Sequence, residues 1–199
     1  GTAFTIDSSI SPATTVALAA SSDSGTSGDN KTNDTTPTIA GTAEPGATVK
    51  VVVGGQTLTV TAAADGTWSV TPTALTDGTY TPVVTVTDAA GNSSTTVGSG
   101  ITVDTQIAPS TIVALSPSSD SGITGDNKTN DTTPTFSGVA EPGATVKVVV
   151  GGQTLTTTAA ANGTWSVTPT ALAAGTYTPA VTVTDAAGNS SSTTGSAVT

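Results

Sequence analysis

Short runs in which apolar and polar residues alternate make up most of the chain, and turn residues separate them. Around Gly54-Gly55 the runs Thr-Val-Lys-Val-Val-Val and Gln-Thr-Leu-Thr-Val-Thr face each other, which is the pattern of a two-residue hairpin. The same alternation predicts seven strands in the first half of the chain, at residues 14–19, 36–43, 48–53, 56–62, 67–71, 80–87 and 99–104.

Seven short strands separated by turns are typical of an immunoglobulin-like β-sandwich. In residues 80–87, Tyr80, Val84 and Val86 share one face and are predicted to point into the core. Trp68 and Leu58 are predicted to join them. The position of Tyr80 at the start of this run predicts a tyrosine corner, in which the phenol hydroxyl bonds to the backbone just upstream.

The whole pattern repeats with a period of 97 residues, so that residues 23–59 and 120–156 differ at only five of 37 positions. A period of this length fits a complete sandwich domain rather than a solenoid unit. Because Phe4-Thr-Ile-Asp7 matches Ile101-Thr-Val-Asp104, the boundary is predicted near residue 104. The chain is therefore expected to be all-β, with two tandem immunoglobulin-like sandwich domains at residues 1–104 and 105–199. Residues 1–12 are interpreted as the tail of a preceding repeat or linker.

Composition excludes several kinds of chemistry. The chain has no Cys, His or Met, so it offers no thiol or imidazole for catalysis and no ligands for a zinc or copper site. Fourteen acids against four lysines give a net charge of −10, which argues against binding to nucleic acid or to anionic membranes. No run of about twenty apolar residues predicts a membrane span. We expect no enzyme activity, no small-molecule substrate and no membrane insertion.

Twelve of the fourteen acids recur at equivalent positions of the two repeats, and half of these lie in the two copies of one polar loop. The loop Asp-Ser-Gly-Thr-Ser-Gly-Asp-Asn-Lys-Thr-Asn-Asp at residues 23–34 returns almost unchanged at 120–131. Calcium prefers carboxylate, amide and carbonyl oxygens, so the loop predicts a calcium site. The spacing excludes an EF-hand, because Lys31 falls on a ligand position counted from Asp29. The candidate ligands are Asp23, Asp29 and Asp34, with Asp120, Asp126 and Asp131 in the second repeat.

The remaining paired acids are predicted to meet at one end of each sandwich. Successive strands run in opposite directions, so the turns after the second strand and after residues 80–87 lie at the end where the chain enters the domain. This argument groups Asp7, Glu44 and Asp88, and in the second repeat Asp104, Glu141 and Asp185. A calcium ion shared by such a set would tie the entering segment to the domain and remove bending freedom. The alternative is that these acids only cap turns and keep the surface hydrated.

The repeat resembles the bacterial immunoglobulin-like domains of giant RTX adhesins, which are exported by type I secretion in Gram-negative bacteria. The resemblance lies in DSGTSGDNKTNDTTPTIAGTAEPGATVKVVV, DGTWSV, LTDGTY and VTVTDAAGNSS, and it covers both repeats. It implies an extracellular stalk segment at the cell surface, stiffened by calcium between domains, with neighbouring repeats of the same chain as its partners. We expect a monomer.

A calcium-dependent module that binds carbohydrate or protein is the alternative function. Sandwich loops can bind either ligand, but the loops here carry small residues and hardly any aromatic side chains. Near-identical copies are more typical of a spacer.

Overall fold

The computed structural model describes residues 5–199. Phe4, the first residue of the match between residues 4–7 and 101–104, lies outside them. The chain divides into two compact units, Gly1–Thr105 and Gln106–Thr199, here called unit 1 and unit 2. Each unit is an immunoglobulin-like β-sandwich, which confirms the predicted all-β fold with two tandem domains.

Unit 1 is built from two main sheets and one small one. Its strands are β1 (Thr14–Leu18), β2 (Lys31–Thr32), β3 (Ile39–Thr42), β4 (Thr48–Val53), β5 (Gln56–Thr61), β6 (Thr67–Val70), β7 (Gly78–Tyr80), β8 (Val83–Thr87), β9 (Ser93–Val97) and β10 (Ile101–Val103). The main sheets have the orders β1-β3-β6 and β5-β4-β8-β9, and the small sheet has the order β2-β10-β7.

Unit 2 repeats the two main sheets. Its strands are β11 (Thr111–Leu115), β12 (Phe136–Val139), β13 (Thr145–Val150), β14 (Gln153–Thr158), β15 (Thr164–Val167), β16 (Ala180–Thr184) and β17 (Ser190–Thr194). The sheets have the orders β11-β12-β15 and β14-β13-β16-β17. Where unit 1 has its small sheet, unit 2 has an isolated antiparallel bridge between Tyr177 and Val198.

The core of unit 1 lies between its two main sheets. Strand β4 has the exposure pattern of a strand with one buried face, because alternate valines are buried and the residues between them are not. The fully buried side chains include Ile39 of one sheet and Val49, Val51, Val84 and Val86 of the other. Trp68 is 3% exposed and packs with them, as predicted.

Two local predictions are confirmed in detail. Gly54 and Gly55 both have positive φ, 54° and 73°, and connect Val53 to its partner Gln56 in a two-residue hairpin. The Tyr80 hydroxyl donates to the Thr76 carbonyl at 2.8 Å, which is the predicted tyrosine corner. Tyr177 repeats the bond to Ala173 at 2.9 Å.

Three strand predictions were wrong. The run 80–87 is two strands, since Thr81 and Pro82 interrupt it and β7 and β8 belong to different sheets. The loop 23–34, expected to hold no strand, contains β2, which pairs in parallel with β10. Strand β9 was missed because its sequence, Ser-Ser-Thr-Thr-Val, has almost no apolar residues to reveal the alternation.

Trp68 and its counterpart Trp165 differ in one buried hydrogen bond. The Trp165 Nε1 donates to Ser110 Oγ at 3.1 Å, whereas the Trp68 Nε1 is buried and has no hydrogen-bond partner among residues 5–199. The residue of unit 1 that corresponds to Ser110 is Ala13, which is itself buried.

We therefore expect Ala13→Ser to stabilise unit 1 by about 1–2 kcal/mol, because it gives a buried donor an acceptor. Chemical denaturation followed by Trp68 fluorescence, in a Trp165→Phe background, measures the change. The reciprocal variant Ser110→Ala should destabilise unit 2 by about 1–3 kcal/mol. No gain from Ala13→Ser would show that the hydroxyl cannot reach the indole.

Candidate metal centre

Three carboxylates meet at one end of unit 1, as the strand directions predict. Asp7 precedes β1, Glu44 lies in the turn after β3, and Asp88 follows β8 directly. One carboxylate oxygen from each lies within 4.8 Å of the other two. Asp7 is exposed, while Glu44 and Asp88 are half-buried, so the group is open on one side and lined by protein on the other.

The Asp88 carboxylate is held in place by Asn92. The Asn92 backbone N–H donates to Asp88 Oδ1 at 2.8 Å, and its Nδ2 donates to Oδ2 at 2.7 Å. The side-chain bond from Asn92 is the largest cause that lowers the pKa of Asp88 below its ordinary value. Asp88 is therefore ionised and oriented at neutral pH.

Asn92 also fixes the segment that enters the unit. Its Nδ2 donates to the backbone carbonyl of Asp7 at 3.2 Å, across 85 residues of sequence. Sequence reasoning missed this role, although Asn92 recurs as Asn189 at the same spacing from an aspartate. That i, i+4 recurrence was the signal that could have revealed it.

Unit 2 holds the equivalent turn in the same geometry. The Asn189 backbone N–H and Nδ2 donate to the two oxygens of Asp185 at 2.9 and 2.8 Å. Asp185 is only 8% exposed, and Glu141 is half-buried in the turn after β12. Asp104 follows β10 in unit 1, where its backbone N–H donates to the Thr32 carbonyl at 2.8 Å.

The acids of the polar loops behave differently from this group. Asp29 and Asp34 accept hydrogen bonds from the backbone N–H groups of Lys31 at 2.9 Å and Thr36 at 2.8 Å. Bonds of this kind close turns without any ion. Among residues 5–199, the three aspartates of each loop do not form a group of ligand atoms like the one at Asp7.

One loop oxygen nevertheless lacks a partner in both units. Asp23 Oδ2 accepts from the Gly28 backbone N–H, while Oδ1 is buried and accepts nothing within the described residues. Asp120 repeats this arrangement with Gly125. A buried carboxylate oxygen without a donor is costly unless a cation or water satisfies it.

The model of one protein family covers almost the entire chain. The bacterial Ig-like domain model matches residues 9–105 and again residues 106–199. The chain belongs to the bacterial Ig-like domain family. A comparison with curated proteins finds none that matches.

Solved structures similar to this bacterial Ig-like chain include segments of large adhesins. One, described as a Ca²⁺-stabilized adhesin that helps an Antarctic bacterium reach out and bind ice, is 34% identical over 94% of this chain, with a TM-score of 0.44. Another, from a 1.5-MDa bacterial ice-binding adhesin, is 28% identical over 94% of this chain, with a TM-score of 0.43. This chain spans 47% and 63% of the lengths of those two chains.

The donor set of this Ig-like unit suits a hard divalent cation. All three side chains offer carboxylate oxygens, the ligands that calcium takes at six to eight positions with carbonyls and waters. In the part of the chain from residue 5 onward, the ion pair found is Lys128–Asp126 at 3.9 Å, far in sequence from this group. Nothing seen in unit 1 therefore neutralises the three carboxylates by an ion pair.

No helix among the described residues has the length and apolar character needed to cross a membrane.

In unit 1 the turn at Asp65 is closed by hydrogen bonds to a carboxylate, which weaken when acid protonates it. The equivalent turn of unit 2 has a neutral acceptor. Thr67 donates from its hydroxyl, at 2.7 Å, and from its N–H to Asp65, and the hydroxyl bond is the main cause that lowers the pKa of Asp65. In unit 2 the neutral Asn162 accepts the same two bonds from Thr164.

A lowered folded-state pKa contributes stability above the unfolded-state pKa, and this contribution disappears as pH falls through the folded value. We therefore expect Asp65→Asn to lower the stability of unit 1 slightly at about pH 7 and to lower it less at about pH 2.5. Denaturant titrations of wild type and variant at both pH values measure this difference. A penalty as large in acid as at neutral pH would contradict it.

Proposed function

We propose that this chain is an extender segment in the stalk of a large bacterial surface adhesin, and that calcium stiffens it. The observation that carries the proposal is the group of Asp7, Glu44 and Asp88 at one end of unit 1. Two of these side chains belong to turns of the sandwich, and the third belongs to the segment that enters it.

An ion bound to this group would join that segment to the sandwich. Without an ion, three like charges repel one another and favour movement of the exposed Asp7 away from the two half-buried acids. With an ion bound, all three carboxylates are attracted to the same cation. The direction of the entering segment is then restricted. The bonds from Asn92 to Asp88 and to the Asp7 carbonyl preorganise both sides for this event.

The repeat extends the proposal to the second unit. Asp104 corresponds to Asp7, and Glu141 and Asp185 correspond to Glu44 and Asp88. Since unit 2 reproduces the bonds that orient Asp185, we assign Asp104, Glu141 and Asp185 as a second calcium set. An ion there would restrict the linker between the two repeats.

Each polar loop is a further candidate for calcium. The unpartnered oxygens Asp23 Oδ1 and Asp120 Oδ1 support an ion in each loop, where carbonyl and amide oxygens are plentiful. The other loop acids, Asp29, Asp34, Asp126 and Asp131, already accept bonds from backbone N–H groups. They remain proposed ligands with one or more free lone pairs.

The proposed setting follows from this role. Extracellular modules bind calcium at about 10⁻⁴ to 10⁻³ M, so the segment would be stiff outside the cell and loose in the cytosol. We propose export by type I secretion in a Gram-negative bacterium, neighbouring repeats as the partners, and no catalytic role.

Small-angle scattering of the 199-residue chain tests the proposal. We expect a longer maximum dimension and a narrower distribution of shapes in about 10 mM calcium than in EGTA. Asp104→Asn should abolish the calcium response of the linker, and the control Asp65→Asn should leave it unchanged, because unit 2 carries Asn at that turn. Identical scattering curves in calcium and EGTA would refute calcium stiffening.

A further inference from the structure

The chain leaves unit 1 through β10, and the residues that follow this strand are held by bonds to its neighbours. Val103, at the end of β10, is 1% exposed and pairs with Gly78 at the start of β7. The next residue, Asp104, donates its N–H to the Thr32 carbonyl at 2.8 Å. The backbone of unit 1 is therefore fixed by strand pairing as far as residue 104.

At the next residue a side chain replaces the backbone as the acceptor. Asp77 directly precedes β7, so it lies beside the end of β10. Its Oδ1 accepts from the Thr105 hydroxyl at 2.8 Å and from the Thr105 N–H at 3.2 Å. We call these two bonds the linker latch. Because Asp77 and Thr105 are both exposed, the latch orders this segment locally and adds little to the stability of the whole unit.

Unit 2 holds the chain from the following residue onward. The Asn189 Nδ2 donates to the Gln106 carbonyl at 3.5 Å. Ile107 is half-buried and packs against the core of unit 2. The segment held by unit 1 and the segment held by unit 2 therefore adjoin at the peptide bond between residues 105 and 106.

Bending between the units requires free backbone torsions between the residues that each unit holds. The peptide bond itself is planar, so this freedom is limited to ψ of Thr105 and φ of Gln106. Without the latch, φ of Thr105 and ψ of Asp104 are released as well. The latch therefore removes about half of the torsions about which the link can bend.

The residue that forms the latch differs between the two repeats. Asp77 corresponds to Ala174, whose side chain has no hydrogen-bond acceptor, although the next three residues, Gly-Thr-Tyr, are the same in both repeats. Unit 2 thus builds the same turn without a carboxylate. The turn at Asp77 does not need its acid in order to fold.

We propose that Asp77 is a positioning residue for the link between the repeats. By holding Thr105, it confines bending to the two torsions that flank the 105–106 peptide bond, and this effect needs no ion. The latch also places Asp104 between two fixed neighbours and so orients its carboxylate for the calcium set that it shares with Glu141 and Asp185. This second effect rests on the proposed function, and the first does not.

Asp77→Ala gives unit 1 the residue of unit 2 and tests the latch in EGTA. NMR relaxation of the 199-residue chain measures the order parameters of the backbone amides. For Thr105 we expect about 0.85 in wild type and less than about 0.6 in the variant. The Asp104 amide is the internal control and should stay near 0.85 in both, because its bond to Thr32 does not involve Asp77.

Asp77→Asn separates hydrogen bonding from charge. An amide oxygen can accept the same pair of bonds, as Asn162 does from Thr164 where unit 1 has Asp65 and Thr67. We therefore expect the Thr105 order parameter of Asp77→Asn to lie closer to wild type than to Asp77→Ala.

Spin labels measure the bending itself. The chain has no cysteine, so Thr57→Cys and Thr154→Cys place one label at an exposed strand position of each unit. In EGTA the distribution of label distances should be similar in wild type and Asp77→Asn. It should be broader in Asp77→Ala.

Calcium titration followed by NMR tests the second effect. The signals of Asn189 report the set that contains Asp104, and those of Asn92 report the set that contains Asp7. Asp77→Ala should raise the dissociation constant read at Asn189 about fivefold, the factor that one hydrogen bond of ordinary strength supplies. The value read at Asn92 should not change, and Asp77→Asn should bind as wild type does.

The proposal is overturned if Asp77→Ala leaves the Thr105 order parameter and the label distances unchanged in EGTA, or if Asp77→Asn loosens Thr105 as much as Asp77→Ala does. An equal loss of calcium affinity in both variants would show that Asp77 acts through its charge, and would overturn its role in orienting Asp104. If the Asn189 signals of wild type did not respond to calcium, the proposed calcium function would fail. The measurements in EGTA would still decide whether Asp77 holds the link.

Discussion

In about 10 mM calcium, unit 1 is expected to melt roughly 6–20 °C higher than in EGTA. An ion that binds only the folded state at 10 to 100 times its dissociation constant adds about 1.4–2.7 kcal/mol. For a domain of about 100 residues, each kcal/mol shifts the melting temperature by about 4–8 °C. Calorimetry measures the shift in melting temperature. Hydrogen exchange, followed on peptides from each unit, shows whether unit 1 or unit 2 is stabilised.

Glu44→Gln is the variant that tests the site in unit 1. It removes one ligand charge while the bonds from Asn92 to Asp88 and Asp7 remain, so the apo fold should be preserved. We expect most of the calcium shift of unit 1 to vanish, while unit 2 responds as before. Asp65→Asn is the matched control and should keep the full shift. An equal shift in Glu44→Gln and wild type would mean that calcium stabilises the unit from another site, such as the loop around Asp23.

Replacing Trp68 by Ala is expected to have the largest effect on the fold of unit 1. Trp68 is 3% exposed and is packed so closely against β3 that a Cβ on Gly41 would lie 2.6 Å from the indole ring. Removing a buried Trp costs about 3–5 kcal/mol, against a total stability of about 5–15 kcal/mol for a domain. Hydrogen exchange of the β3 and β6 peptides measures the change.

Two comparisons make this prediction specific. Val97→Ala, at a side chain that is 65% exposed, should change stability by less than about 0.5 kcal/mol. Trp165→Ala should cost unit 2 about 1 kcal/mol more than Trp68→Ala costs unit 1, because it also removes the hydrogen bond to Ser110. Equal effects of Trp68→Ala and Val97→Ala would contradict the packing described here.

The candidate site could be predicted only as far as strand direction determines it. Alternating strands bring the turns at Glu44 and Asp88 to the end where Asp7 enters, and the structure places the three carboxylates together there. The loop acids were also expected to form one cluster, but local bonds such as that from Lys31 to Asp29 hold them separately. The recurrence of Asn92 four residues after an aspartate could have revealed its bonds to Asp88, but only the structure shows its bond to the Asp7 carbonyl, which spans the whole domain.

Alternation, turn residues and the repeat were sufficient to determine the all-β fold, the two domains, the hairpin at Gly54 and the tyrosine corner at Tyr80. These features depend on contacts within a few residues, or on which face of a strand is apolar. Tertiary structure alone decided the division of residues 80–87 between two sheets and the parallel pairing of β2 with β10. Those features depend on which distant strand supplies the hydrogen bonds. The sequence of a strand does not by itself identify that partner.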